Sequence, residues 1–259
     1  MGRWGEGAGC MQPAWEMDMF ARSLCALGLA CLALNGWAST VRAPMEMTLV
    51  WSLHLAADGG IEKMQAHGAS PGNVQQRLES EIRTWRFRPG RLNGAAAPSR
   101  TALHVGVLLE PQDGDAWSIR VLNAGTGARL RSNVVPAYPG EASRARREGL
   151  VLLRIAYDAT GKVSESTLVN DSPLRTGVLV DAARGAVKFY QIEPERIAGS
   201  ALASTAIAPV CFKLNQKRGA PADRCAWTRP GDNAKLDETS FVSLEPAVTL
   251  ESMVVGKTL

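Results

Sequence analysis

The feature that most restricts this chain is an internal repeat. Leu49-Val-Trp-Ser-Leu-His-Leu-Ala-Ala-Asp58-Gly59-Gly-Ile61 stands beside Val151-Leu-Leu-Arg-Ile-Ala-Tyr157-Asp158-Ala-Thr-Gly161-Lys-Val163 at an offset of 102. Each stretch alternates apolar positions, breaks at an Asp/Gly turn and resumes, which is the signal of a β-hairpin. A helix follows in each. Ser70-Pro71 reads as a cap with proline in the first helical position, and Val74, Leu78, Ile82 and Trp85 share one face. Leu179, Ala183, Ala186 and Tyr190 share the corresponding face at an offset of 105. The correspondence then runs on without slipping: Pro89 with Pro194, Gly94 with Gly199, Val105 with Val210. A third strand follows at Arg100–Leu109 and again at Ala203–Leu214. Duplication at a fixed period means one supersecondary unit used twice, so the expectation is an α+β chain of two tandem strand-strand-helix-strand units.

The repeat also settles how to read EIRTWRFRPGRLNG, residues 81–94. Arginines interleaved with Trp85 and Phe87 resemble a surface that holds phosphate and stacks bases. The equivalent stretch, Lys188-Phe-Tyr190-Gln-Ile192-Glu-Pro194, keeps the apolar positions and loses most of the arginines. Core packing depends on the first set and nucleic-acid binding on the second, so this is a helix exit held against a sheet. The formal charge of only +4 agrees.

Ahead of the repeat, Arg22 precedes the apolar run Leu24–Leu34, which ends in Asn-Gly36-Trp-Ala38-Ser. Basic, apolar, then small is the layout of a secretory signal. The run is shorter than the ~20 residues that span a bilayer. Cleavage after Ala38 is expected, and the residues before Met17 or Met19 read as an over-extended start. An uncleaved anchor through residues 22–38 is the alternative. A lipid attachment at Cys31 is disfavoured, because Gly28 stands where a branched aliphatic is needed. Of the five cysteines, Cys10, Cys25 and Cys31 lie in the leader, leaving Cys211 and Cys225 as a pair. In an oxidising compartment that pair is expected to form a disulfide.

At this point the residues resemble a known family. Pro136-Ala-Tyr138-Pro139-Gly-Glu-Ala142, then Gly149-Leu-Val-Leu, the turn from Asp158 to Gly161, and Asp181-Ala182-Ala183 on a helix are similar to the C-terminal domain of TonB, the energy transducer of the Gram-negative periplasm. The closing Trp-x-Phe-x-Pro of that pattern stands in the first copy, as Trp85-Arg-Phe87-Arg-Pro89. The departures are that the first copy lacks Pro-x-Tyr-Pro and the second lacks the tryptophan. The resemblance also implies a membrane helix and a long proline-rich spacer. Neither separates the apolar run from the first strand, so coupling to an inner-membrane motor does not follow.

The resemblance implies a small α+β domain that grips an extended peptide of an outer-membrane transporter by strand addition. A third strand at a sheet edge offers unpaired N–H and C=O groups that a partner strand satisfies. The candidate edge is Ala203–Phe212, with Thr101–Leu108 as its equivalent. The candidate binding residues are Tyr138 and Pro139 from the family motif and Ala203, Thr205, Ile207 and Val210 from the strand. The competing expectation is that the other repeat or the tail covers these edges. Expected domains are a leader over 1–38, a divergent first unit over 45–122, a linker over 123–133, a second unit over 134–215 and a tail over 216–259. Arg144, Arg146 and Arg147 in the short helix of 141–148 read as a solvated face.

Enzymatic classes find little support. The three histidines, His54, His67 and His104, have no cysteine or carboxylate at metal-ligand spacing, and there is no Gly-x-Ser-x-Gly or phosphate-cradling glycine loop. The reading is therefore a periplasmic protein with no cofactor or metal that binds a protein partner in the envelope. A scaffolding protein that keeps the fold without transducing energy is the alternative. Association with the inner membrane is expected only if the leader stays attached.

Overall fold

A computed structural model describes residues 42–113, 116–214, 225–229, 235–236 and 239–259. The leader lies outside the described residues. In chain order the elements are β1 (Met45–Leu55), β2 (Ile61–His67), α1 (Val74–Ile82), β3 (Phe87–Arg88), β4 (Arg91–Leu92), β5 (Ala95–Ala96), β6 (Ser99–Pro111), β7 (Trp117–Gly127), β8 (Arg129–Ser132), α2 (Gly140–Arg144), β9 (Gly149–Tyr157), β10 (Val163–Leu168), α3 (Val178–Val187), β11 (Gln191–Glu193), β12 (Arg196–Ile197), β13 (Ser200–Ala201), β14 (Ser204–Phe212), β15 (Trp227–Thr228), β16 (Lys235–Leu236), β17 (Val242–Ser243) and β18 (Thr249–Leu250). The fold is mixed α+β, dominated by strands, with three short helices among the described residues.

Residues 45–111 and 149–212 run through the same elements in the same order, and their three long strands pair alike, although β12 also pairs with β6 while its counterpart β4 pairs with β5. β1 lies antiparallel between β2 and β6, and β9 lies antiparallel between β10 and β14. The likeness extends to irregularities. Each second strand carries one extra residue at its start, Glu62 opposite β1 and Ser164 opposite β9. Gly59 and Gly161 both have positive φ, and a Cβ on either would collide with a carbonyl oxygen, that of Phe87 or of Ile192. In each half that contact seats the hairpin turn on the chain leaving the helix.

Helix α1 begins later than the sequence suggests. Ser70-Pro71 does not start it, because Gly72 between them and the helix adopts positive φ and closes a turn, with the Val74 amide donating to the Pro71 carbonyl. The helical face is as expected: Val74, Leu78, Ile82 and Trp85 are buried with Leu49, Trp51, Leu53, Val105 and Val107 in a first core. Leu179, Ala183, Val187 and Tyr190 fill a second core with Val151, Leu153, Ile155, Ala206, Ala208 and Val210. A third apolar layer covers the opposite face of the second sheet, where Cys225, Trp227 and Leu236 lie on Leu150, Leu152 and Ile207. Cys211 and Cys225 are joined by a disulfide, their Cα atoms 5.9 Å apart.

The chain beyond each third strand crosses to the other half. The stretch 123–133, expected as a linker, is strand: β7 pairs with β6 as far as Gly127, and β8 then crosses to the other half and pairs with β11. After β14 the tail does the same in reverse. β17 pairs with β14, and β18 crosses back to pair with β3. The two crossings touch where a Cβ on Gly127 would overlap the Ser243 side chain, whose hydroxyl accepts the Ala128 amide at 2.8 Å. Beyond β18 the tail lies along β7, with reciprocal bonds between Ile119 and Leu259 at 3.2 and 2.8 Å. Each half thus uses a strand donated from beyond the other half's third strand.

Candidate partner-binding edge

The second sheet runs β10-β9-β14-β17, so the outer edge of β14 is partly taken by the tail. Of the two expectations for this edge, cover by the tail is the one seen at Ala206 and Ile207. Its counterpart β6 is central throughout, flanked by β1 and by ten ladder pairs to β7. The cover on β14 is far shorter: Ala206 opposite Ser243, Ile207 opposite Val242, and the Leu244 amide donating to the Thr205 carbonyl at 3.0 Å. That last bond fixes the parity of the strand. Backbone groups of Thr205, Ile207, Pro209 and Cys211 face the outer edge, and those of Ala206, Ala208, Val210 and Phe212 face β9. Pro209, which has no N–H, therefore sits where no ladder bond to β9 is lost, and it ends pairing on the outer side.

The expected site residues separate into two groups. Thr205 and Ile207 are on the edge itself. Ile207 is buried in one layer with Trp227, and the Thr205 Oγ1 is buried without a hydrogen-bond partner among the described residues. Ala203 is exposed just ahead of the strand. Val210 points into the helix-side core. Tyr138 serves packing: its hydroxyl donates to the Arg147 carbonyl and its ring meets Phe212 edge-on with centroids 5.6 Å apart. Pro139 precedes α2 as its N-cap. The structure thus gathers Ala203, Thr205 and Ile207 at one edge and places Tyr138, Pro139 and Val210 elsewhere.

Beside the uncovered part of the edge lies a cleft of about 310 Å³. Ala208 and Pro209 form one wall, Thr239 and Phe241 of the tail continue it, and Arg129, Arg131 and Tyr190 face them. Arg129 is engaged, since Glu193 takes it at 3.0 Å through Nε and takes Arg100 at 2.6 Å with its other oxygen. Burial would raise the Glu193 carboxyl, but the bonds to Arg129 and the charges of Arg100 and Arg131 hold it below its ordinary value. Arg131 is exposed and makes no ion pair among the described residues.

Glu195 was not expected and matters more than any predicted site residue for holding the tail. It is only 4% exposed, and its carboxylate accepts the Thr101 hydroxyl at 2.6 Å and the amides of Ala247 and Val248 at 2.6 and 3.3 Å. One side chain thereby joins β6, the chain after β11, and the tail. Burial raises its pKa, with the three donors only partly opposing. Pro209 was also missed, though a proline inside a strand-like run is a signal for an edge; Glu195 occupies the position of Gly90 in the other half, and no periodic signal marks it.

The three histidines share the face of the first sheet opposite α1. His67 and His104 flank Val50 in adjacent ladder pairs, and His54 lies two rows on, opposite Lys63 and Arg100. His67 shares a hydrogen bond of 2.8 Å with the Ser52 hydroxyl, and His104 bonds the Ala128 carbonyl at 3.0 Å. Among the described residues no group of three or more His, Cys, Asp or Glu side chains is placed to hold a metal ion. Among those residues no helix is long and apolar enough to cross a membrane.

Residues 134–214 match the family model for the Gram-negative bacterial TonB protein C-terminal. The match spans α2 to the end of β14, under a third of the chain, and it points to energy transduction toward outer-membrane transporters, a role without enzymatic chemistry. Domains of that family interact with outer-membrane TonB-dependent receptors and belong to the Gram-negative envelope. No curated protein matches the chain.

Proposed function

We propose that this chain is a periplasmic protein in which a TonB-like domain at 134–215 binds an extended segment of an envelope partner by strand addition to the outer edge of β14, and that residues 45–122 are a divergent second copy of the same unit. The carrying observation is the poor cover of that edge. The tail supplies two ladder pairs where β7 supplies ten, and it leaves the Thr205 hydroxyl buried and unsatisfied. Buried hydroxyls are nearly always bonded, so an occupant that satisfies Thr205 has something the tail does not offer. The edge strands β2 and β10 are short and each carries an extra residue at its start, and the edge strand β13 has only two residues, features that discourage pairing. The shared bulges and turn glycines support the second-copy reading.

A scaffolding role is the second reading, and the tail's presence on β14 favours it. Photocrosslinking from a benzophenone residue placed at exposed Ala203, in the Gram-negative envelope, separates the two. Strand addition gives an adduct to an extended segment of an envelope protein, and Thr205→Pro, which removes an outward N–H but no bond to β9, abolishes it. An adduct indifferent to Thr205→Pro, or none at all, leaves the scaffold.

A further inference from the structure

The segment lying on β14 belongs to the chain itself, and its sequence is informative. Thr239-Ser-Phe-Val-Ser-Leu244 is preceded by Asp237 and Glu238. Val242 and Leu244 pack on the layer containing Trp227 and Leu152, while Phe241 enters the helix-side core. We propose, resting on the strand-addition reading above, that residues 239–244 are an intramolecular ligand that occludes the β14 edge, and that the partner is an acidic-then-apolar extended peptide that displaces them.

Three observations carry this. The occluding strand is short and bounded by Pro209, so little ladder must break before it lifts. The cleft, lined by Pro209 of β14 and by Thr239 and Phe241 of the tail, lies where that short ladder ends and gives the tail room to lift. Across that cleft stands Arg131, exposed and without an ion pair among the described residues, next to Arg129. A peptide with a carboxylate ahead of its apolar positions meets that charge as its strand aligns with β14. A tethered competitor acts at high effective concentration, so the intact chain binds such a peptide weakly and a chain with a loosened tail binds it well.

The experiment uses the full-length mature chain and the synthetic peptide DETSFVSLEP, residues 237–246, followed by fluorescence anisotropy. Val242→Pro removes an amide that faces β14. It is expected to raise hydrogen exchange at Thr205 and Ile207 and to tighten peptide binding at least tenfold over wild type. Leu244→Asp loosens the same strand by expelling its side chain from the apolar layer, and should do likewise if the proline variant folds poorly. Unchanged exchange in the amides of β9 certifies the fold. A peptide with Lys at its first two positions, or the Arg131→Glu variant, should weaken binding about tenfold. Faster exchange at the edge without peptide binding overturns the proposal, while crosslinking from Ala203 tests strand addition separately. Equal binding by wild type and both variants overturns it as well.

Discussion

Replacing Glu195 tests whether one carboxylate holds the tail to both halves. In Glu195→Ala the amides of Ala247 and Val248 lose their acceptor, at 2.6 and 3.3 Å, inside the protein. A buried donor left bare costs about 1–3 kcal/mol. The Thr101 hydroxyl escapes that cost, since it can turn to the Gly127 carbonyl at 3.2 Å. Removing a buried charge gives some of the loss back, so the net destabilisation should be about 2–4 kcal/mol, a large part of the roughly 5–15 kcal/mol a domain has. Glu195→Gln should be much milder. With its oxygen toward Ala247 and its amide toward Thr101, it forfeits only the longer bond to Val248, about 1 kcal/mol. Because burial raises the Glu195 pKa, wild type binds a proton more tightly folded than unfolded. Its contribution is therefore full below the unfolded value and declines as pH rises through the folded one, a dependence that Glu195→Gln removes. Urea midpoints of the three proteins across pH, with exchange at residues 247–248, measure all of this. A cost under about 1 kcal/mol for alanine, or equal damage from alanine and glutamine, refutes the reasoning.

The disulfide spans a separation of 14 residues, and losing it in Cys211→Ser/Cys225→Ser should cost about 3 kcal/mol by loop entropy, read as a lower urea midpoint with Trp227 fluorescence shifting toward that of an exposed indole. His54, His67 and His104 all have pKa values lowered by burial first, with Arg100 acting on His54 and Arg129 on the other two. Such groups bind protons more weakly when folded, so stability is full above about 6.5 and falls as pH drops below it; a melting temperature flat between pH 7 and 5 would count against this. A fragment of residues 134–214 lacks β8, β17 and the buried Phe241, and should show no cooperative melt, whereas residues 126–246 should show one by circular dichroism.

The strands and helices of residues 45–111 and 149–212 are legible because their information is local and periodic. Trp51, Leu53, Leu78 and Ile82 announce a strand and a helix by spacing alone, and Gly59 and Gly161 announce turns that tolerate no Cβ. The start of α1 is hidden because Ser70-Pro71 is a good capping pair in isolation, while Gly72, one residue on, takes positive φ and diverts the chain. The span 123–133 looks like a linker because Gly125 and Gly127 are loop residues by composition. Gly127 is needed there for contact with Ser243, more than a hundred residues away, which no local pattern encodes. The same holds for the candidate site. Thr205 and Ile207 could be placed on a third strand, but whether that strand was open depended on Val242 and Leu244, whose alternation is too short to read as a strand.

The reciprocal crossing explains why the two edges differ although the halves correspond. The strand leaving β6 makes ten ladder pairs before it crosses at Gly127, which sits against Ser243, whereas the chain leaving β14 at Phe212 comes back to that point only at Val242–Ser243. There Val242 and Ser243 pair with β14, and the tail then proceeds to Glu195 and β3. The half that matches the TonB domain thus receives the shorter neighbour, and the tail after it pairs with the other half.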